Sequence, residues 1–467
     1  MEIKTSYDAV VVGAGMSGMA AAIRLAMFDR KVLLIEKHSI PGGLNSFYRR
    51  ANRNLDVGLH ALTNAVPKGT RGAPLTKLLK QLRIPYEKLK LSPQTHSLIR
   101  FPEQTLSFTN DFNEFDDQIK STFPEQVTGW SNFVEAIKSF DETNLQNEYQ
   151  SAKEKTSEYI SDPLLLEMIF SPLMIYGSAW EHDMDWSQFV IMFKSIYLEG
   201  LGRPEGGVRT IIKLLTDKLK ELDVDLRYSC ELLKVQSKDD VVTGVFIKDR
   251  KHGELEVKTN QVFSSIGLPE TMGLATSNDR AHPAGSMSFT ESIFFIKETP
   301  KDLGQNATLI FHNNRDRYLY QKPETLIDDQ SAVICLPNNY HSDGEMDEGI
   351  ARVTFMANND LWTSLSEDEY KAKKEEVSLK AKKLLAQYFD QEPTITYEDT
   401  FTPKTVTRYT SHYAGAVYGS PDKTRDGTTK IKGLVITGTD QGFLGIVGAM
   451  LSGISMANYH GLQGGSQ

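Results

Sequence analysis

Three glycines and one acid carry the first chemistry that can be read from the chain. Gly13-Ala14-Gly15-Met16-Ser17-Gly18 stands directly behind a β-branched run, Asp8-Ala9-Val10-Val11-Val12, and directly ahead of an Ala- and Leu-rich segment, Met19 to Met27, without Pro or Gly. A second run, Lys31 to Ile35, ends at Glu36, which is 36 − 13 = 23 residues past the first glycine. Strand, glycine turn, helix, strand and acid make one βαβ unit, and that spacing suits the binding of a dinucleotide. Gly13 permits the tight turn, Gly15 lets a pyrophosphate reach the backbone, and Gly18 lets the helix close on the strand. The helix N-terminus attracts the anion, and Glu36 accepts hydrogen bonds from a ribose. Asp29 stands where the pattern usually has a turn glycine, at the end of that helix.

Around this unit the chain has 467 residues, enough for one large composite fold or two to three domains. Lys+Arg 52 against Asp+Glu 61 leaves a net charge of −9 with no basic face, so nucleic acid is not an expected partner. Cys230 and Cys335 form no CxxC, which argues for a reducing compartment and against a Cys-rich metal site. No HExxH or facial-triad spacing is present, and no metal is expected. The start lacks the pattern of a signal peptide and no run reaches the length of a membrane span. A cytoplasmic protein is therefore expected, with peripheral membrane contact open; oligomeric state cannot be read.

The middle of the chain divides by texture. Helical, charged segments broken by prolines fill Gly72 to Gln150, with few buried-strand runs. Leu164 to Leu198 is rich in Met and aromatics, and reads either as core helix or as the wall of an apolar substrate cavity. After Gly206-Gly207 an amphipathic helix over Val208 to Leu222 leads into strands near Asp225–Tyr228, Leu232–Val235, Val242–Lys248, Leu255–Val257 and Gln261–Ser264. Ser286 to Ala357 reads as antiparallel strands. Ser366 and Glu369 form a capping box opening a helix to about Tyr388. Gly433 to Tyr459 is a buried strand, a Gly-rich turn and a small-residue helix.

Pro41-Gly42-Gly43-Leu44-Asn45-Ser46, just past Glu36, resembles the second pyrophosphate contact of glutathione-reductase-like flavoproteins, and no second GxGxxG lies between a strand and a helix. That favours FAD over NAD. The closing stretch, Gly433-Leu434-Val435-Ile436-Thr437-Gly438-Thr439-Asp440 followed by Gly442, Gly445 and Gly448, resembles the flavin motif of the phytoene desaturase, carotenoid isomerase and retinol saturase family. Thr402-Pro403-Lys404-Thr405 through Tyr418-Gly419, and Gly206-Gly207-Val208, are similar to segments of the same family. Leu55-Asp56-Val57-Gly58-Leu59-His60 departs from the desaturase pattern toward the retinol-saturase-like branch.

The resemblance implies an α/β architecture: a glutathione-reductase-like, Rossmann-type FAD domain, discontinuous over 1–72, 205–285 and 405–467, with an inserted mixed α+β substrate domain over 73–204 and 286–404. It implies cofactor contacts at Gly13, Gly15, Ser17, Gly18, Glu36, Lys37, Gly42, Gly43, Asn45, Ser46 and Gly58, at the backbone of Val235, and at Gly438, Asp440, Gly445, Ile446 and Val447. His60, His412 and Tyr418 are the candidate catalytic residues. The implied activity is hydride transfer between flavin and a carbon of an apolar isoprenoid or polyene. Desaturation, saturation and isomerisation all remain open. An amine or protoporphyrinogen oxidase, and a non-redox isoprenoid carrier of the Rab-dissociation-inhibitor type, are the rivals. The stretch Ile169 to Leu198 is the expected apolar face for any membrane contact.

Overall fold

The computed structural model describes residues 3–142, 144, 146–276, 282–341 and 346–462. Met1 and Gln467, where the expected FAD domain begins and ends, lie outside the described residues, as do 277–281 and 342–345 within the expected inner ranges.

The βαβ unit forms as its sequence predicts and nucleates a five-stranded parallel sheet. In spatial order the strands are Asp225–Tyr228, Val32–Glu36, Ala9–Val12, Val262–Ser264 and Leu434–Ile436. Val11 lies opposite Leu34 on one side and Phe263 on the other. The period-2 alternation of side chains divides these buried strands between two cores. Val11, Leu34, Phe263 and Val435 pack against the helices Met16–Ala26, Val208–Glu221 and Gly445–Met456. Val10, Val12, Leu33, Ile35 and Ile436 pack against the antiparallel strands Cys230–Lys238, Val241–Asp249 and Gly253–Lys258 and the helix Leu268–Ala275. The result is three layers, and the first and last segments of the chain share one sheet. Asp29 takes the left-handed conformation, φ 60, that the missing turn glycine would have held, one that Asp tolerates better than most residues.

The second body is a seven-stranded mixed sheet in the order Ile395–Phe401, Ser288–Ile296, Gly349–Ala357, Ser331–Cys335, Leu309–Asn313, Ser97–Arg100 and Thr105–Phe108. Its strands are antiparallel except where Leu309–Asn313 meets Ser97–Arg100. Strand texture is weak in 72–150, yet that region supplies two strands of this sheet, because short segments such as Ser97–Arg100 carry too few residues to show a period. The helix Pro74–Gln81 belongs with the first body: Leu75, Leu78 and Leu79 are buried in the core that holds Ala9 and Val11. The capping box is present, and its helix spans Glu367–Leu385 against one face of the sheet.

On the other face lie the helices Pro163–Gly177 and Trp186–Phe193. Phe170, Leu173, Met174, Phe189 and Phe193 are fully buried there, and Trp186 stacks on Phe189. The stretch expected to offer an apolar face to a membrane is therefore core. It is apolar around its whole circumference because it packs between a sheet and neighbouring helices. Among the described residues, no helix is long and apolar enough to cross a membrane.

Candidate active site

A cavity of about 430 Å³ lies between the two bodies. One end is walled by the glycine turn and Glu36, the other by Tyr176, Met192, Phe289, Val333 and Thr354 of the second body.

At the first end the three glycines differ as their roles require. Gly13 has φ +92, open to glycine at least cost. A Cβ on Gly18 would stand 1.9 Å from the Gly13 carbonyl oxygen, so the helix and turn touch only because Gly18 lacks a side chain. A Cβ on Gly15 would meet nothing within 4 Å. The Glu36 carboxylate accepts from the Ala14 amide at 2.8 Å and from the His38 amide at 2.9 Å, which fixes it at the cavity wall with lone pairs to spare. Ser17 Oγ, in the first turn of the helix, is buried without a partner. An orphaned hydroxyl at a helix N-terminus beside an open glycine is what a phosphate oxygen would satisfy. These residues fit a dinucleotide.

Most of the residues named for the cofactor border this cavity: Gly13, Gly15, Ser17, Glu36 and Lys37 from the first unit, Gly42, Gly43, Asn45 and Gly58 from the loop beyond it, and Gly438, Gly445 and Ile446 from the far end of the chain. Five do not. Gly18 acts through the packing just described, while Ser46 and Val447 are buried behind the wall. Val235 is paired with Val245 inside the antiparallel layer; Cys230, Glu231 and Leu232 of the same strand reach the cavity in its place. The Asp440 carboxylate faces the protein, accepting from the amides of Leu268 at 2.6 Å and Ser420 at 2.8 Å and from Lys423 Nζ at 3.3 Å. It ties the loop at 419–420 to the start of the helix Leu268–Ala275.

The three catalytic candidates also border the cavity, in different states. Tyr418 donates its hydroxyl to the Ile175 carbonyl, and burial pushes its pKa up, so it holds its proton. His412 Nδ1 lies 2.7 Å from the Ala416 carbonyl oxygen, beside Glu270, whose carboxyl burial raises. His60 is held most firmly. Its loop turns at Gly58, φ +73, and is clasped by two cations: Arg352 donates to the carbonyls of Leu59 and Asp56, and Arg203 to the Leu59 carbonyl and the Asp56 carboxylate. His60 Nε2 stands 3.3 Å from Glu291 Oε1 and 3.1 Å from Thr354 Oγ1. Arg352 beside Glu291 keeps that carboxyl ionised, its pKa down to about 2 despite burial. Burial in turn lowers His60, against the pull of Glu291. An ionised carboxylate only accepts, so Nε2 carries the proton of the neutral ring and Nδ1 the lone pair.

Glu291, Arg352 and Thr354 are neighbours of His60 and its loop that sequence reasoning missed. Their signal was a lone acid in Ser288–Ile296 and a lone base in Gly349–Ala357, each inside a strand of otherwise uncharged residues. Among the described residues, no group of three metal-capable side chains exists.

A parallel-sheet dinucleotide domain joined through one cavity to a mixed-sheet domain defines a two-domain flavoprotein. The chain belongs to the flavin-containing amine oxidoreductases, whose family description matches residues 16–459. It is an FAD-dependent oxidoreductase of that family. It is 23% identical to the chloroplastic prolycopene isomerase of Arabidopsis thaliana over 97% of this chain and 82% of that protein. It is 23% identical to the 1-hydroxycarotenoid 3,4-desaturase of Flavobacterium sp. (strain P99-3) over 88% of each. Its fold is similar to that of an oxidoreductase from Methanosarcina mazei, with a TM-score of 0.65 at 16% identity, covering 96% of this chain and 99% of that one.

Proposed function

We propose that this flavoprotein transfers hydride between FAD and a carbon–carbon bond of an apolar isoprenoid or polyene chain. The observation that carries the reading is the inner end of the cavity, where Ile175, Tyr176, Met192, Phe289, Val333 and Val417 form the wall. The carboxylate beside His60, Glu291, is committed to Arg352 and His60, so it is not free to serve as counter-charge to a cationic amine. The likeness to carotenoid-acting relatives points the same way.

FAD supplies the hydride chemistry when bound. Gly15, Ser17 and the helix N-terminus would hold its pyrophosphate and Glu36 its ribose. The apolar wall binds and aligns the chain and excludes water. His60 Nδ1 is the basic atom proposed to hold a proton released or needed at the neighbouring carbon, and Glu291 and Thr354 keep its ring oriented.

The test is incubation of the yellow holoprotein with acyclic carotenoids, retinol and squalene-type compounds under oxidising and reducing conditions, with product analysis by mass and isomer. A product two hydrogens lighter or heavier, or an isomer, supports the reading. Reduction of the flavin by amines, with no change in any polyene, overturns it.

A further inference from the structure

A groove of about 560 Å³ lies beside the reaction cavity, and Phe401 and Tyr409 border both spaces. Four elements meet at it, and each brings a tyrosine and a charged residue. The strand Phe47–Arg50 brings Tyr48 and Arg50, and the helix Glu367–Leu385 brings Tyr370 and Lys374. The edge strand Ile395–Phe401 brings Tyr397 and Asp399, and the helix Pro403–Thr410 brings Lys404 and Arg408, followed by Tyr409. Alternate residues on a strand, and residues one turn apart on a helix, share a face, so each element turns these side chains toward one space.

The charges in that space do not balance. Among the described residues Asp399 is its one acid, and it is committed: its carboxylate accepts from Lys374 Nζ at 2.8 Å and from the Tyr48 hydroxyl at 2.9 Å. Arg50, Lys404 and Arg408 remain, and among the described residues none of them has an acidic partner. Lys404 Nζ lies 4.8 Å from the centre of the Tyr370 ring and donates to the Leu365 carbonyl at 3.1 Å, while the Arg408 guanidinium lies 5.9 Å from the centre of the Tyr409 ring. Arg50 stands opposite Arg53 in the strand ladder, and it is Arg53 that holds an acid, Glu348 at 2.7 Å. Like charges opposite each other on paired strands, or one helical turn apart as Lys404 and Arg408 are, cost stability. A chain whose net charge is −9 leaves these cations unneutralised in a groove of small-molecule size, within the roughly 300–1,000 Å³ usual for such sites.

We propose that this groove binds the nucleoside diphosphate group of a nucleotide. Guanidinium groups pair with phosphate oxygens in a bidentate fashion, and tyrosine rings stack on a base. A polyphosphate without a base would leave the rings unused, and an uncharged aromatic would leave the cations unmatched. The ligand is not FAD, because the glycine turn and Glu36 border the reaction cavity and not this groove. The same group occurs in a free nucleoside diphosphate and at one end of a dinucleotide.

The test is calorimetric titration of the flavin-saturated holoprotein with ADP, reduced nicotinamide adenine dinucleotide, pyrophosphate and adenosine, using wild type, Arg50→Gln and Arg408→Gln. Both arginines are exposed and neither borders the reaction cavity, so the variants should fold and keep their flavin, which absorption checks. ADP should bind wild type at a single site, more tightly than pyrophosphate or adenosine, and each substitution should weaken it about tenfold. A dinucleotide bound more tightly than ADP assigns the groove to a dinucleotide, and the reverse order to a free nucleotide; either order supports the site. No binding of ADP, pyrophosphate bound as tightly as ADP, or an affinity untouched by both substitutions would overturn the proposal. ADP that binds only as flavin is released would be occupying the FAD site, and that too would overturn it.

Discussion

His60 Nε2 stands 3.3 Å from Glu291 Oε1, the same oxygen that receives the Arg352 guanidinium, and Glu291 and Arg352 are each only 2% exposed. One buried carboxylate thus neutralises a buried cation and orients an imidazole. It joins the loop at 56–60, which belongs to the flavin side, to the central strands of the substrate side.

Breaking that pair on one side should be severe. Glu291→Gln leaves Arg352 buried without a counter-charge, a loss of roughly 3–5 kcal/mol. Replacing both partners together, Glu291→Leu with Arg352→Leu, should cost far less in the urea midpoint, because no charge is then stranded. Both variants should lose activity, since His60 is no longer held. A double variant as unstable as the single one would show that the pair contributes more than mutual neutralisation.

The glycine turn separates folding from cofactor binding. Gly15→Ala puts its methyl into open space with φ −73, so the flavin-free protein should melt within a degree or two of wild type while holding much less FAD. Gly18→Ala drives a methyl to 1.9 Å from a carbonyl oxygen and should destabilise the flavin-free protein as well. Thermal melts of deflavinated samples, together with flavin content after reconstitution, decide it.

The contrast marks what the chain alone makes legible. The flavin half is written in contiguous text: strand, turn, helix and acid lie within one short segment, so local spacing carries the geometry. Asp440 illustrates the boundary. The motif position is plain, but its carboxylate bonds Leu268 and Ser420, partners more than a hundred and about twenty residues away that only the fold brings together. The Glu291, Thr354 and His60 group was illegible for a similar reason. Glu291 meets Thr354 through strand register, and His60 reaches both from a distant loop. The aromatic helices, in turn, read equally well as core or as an exposed face until the sheet that covers them is known.

Glu36 should separate charge from shape. Glu36→Gln keeps an acceptor for one of the Ala14 and His38 amides but loses the negative charge, whereas Glu36→Ala strands both amides. A charge-assisted bond to a ribose contributes roughly 1.5–3 kcal/mol, so FAD affinity should fall about tenfold to a hundredfold in the Gln variant and further in the Ala variant. Flavin release measured by fluorescence checks the order. Undiminished affinity in both would remove Glu36 from the cofactor site.

Acid sensitivity should trace in part to His312, on the strand Leu309–Asn313. Its Nδ1 lies 2.6 Å from the Tyr388 hydroxyl, and burial, with Arg100 adding to it, lowers its pKa to about 4. In the unfolded chain the group titrates near 6.5. Between those values the unfolded chain binds a proton that the folded one does not, so stability rises with pH across that window and is lost as pH falls through it. The loss from this group between pH 7 and pH 5 should be about 2 kcal/mol. His60, also lowered by burial, acts in the same direction, so the contribution of His312 is read as a difference between proteins. His312→Gln keeps a polar partner for Tyr388 but has nothing to titrate. Urea midpoints at pH 7 and pH 5 should therefore converge in the variant by most of that amount, and an acid-induced shift equal to that of wild type would mean that His312 is already protonated in the folded protein.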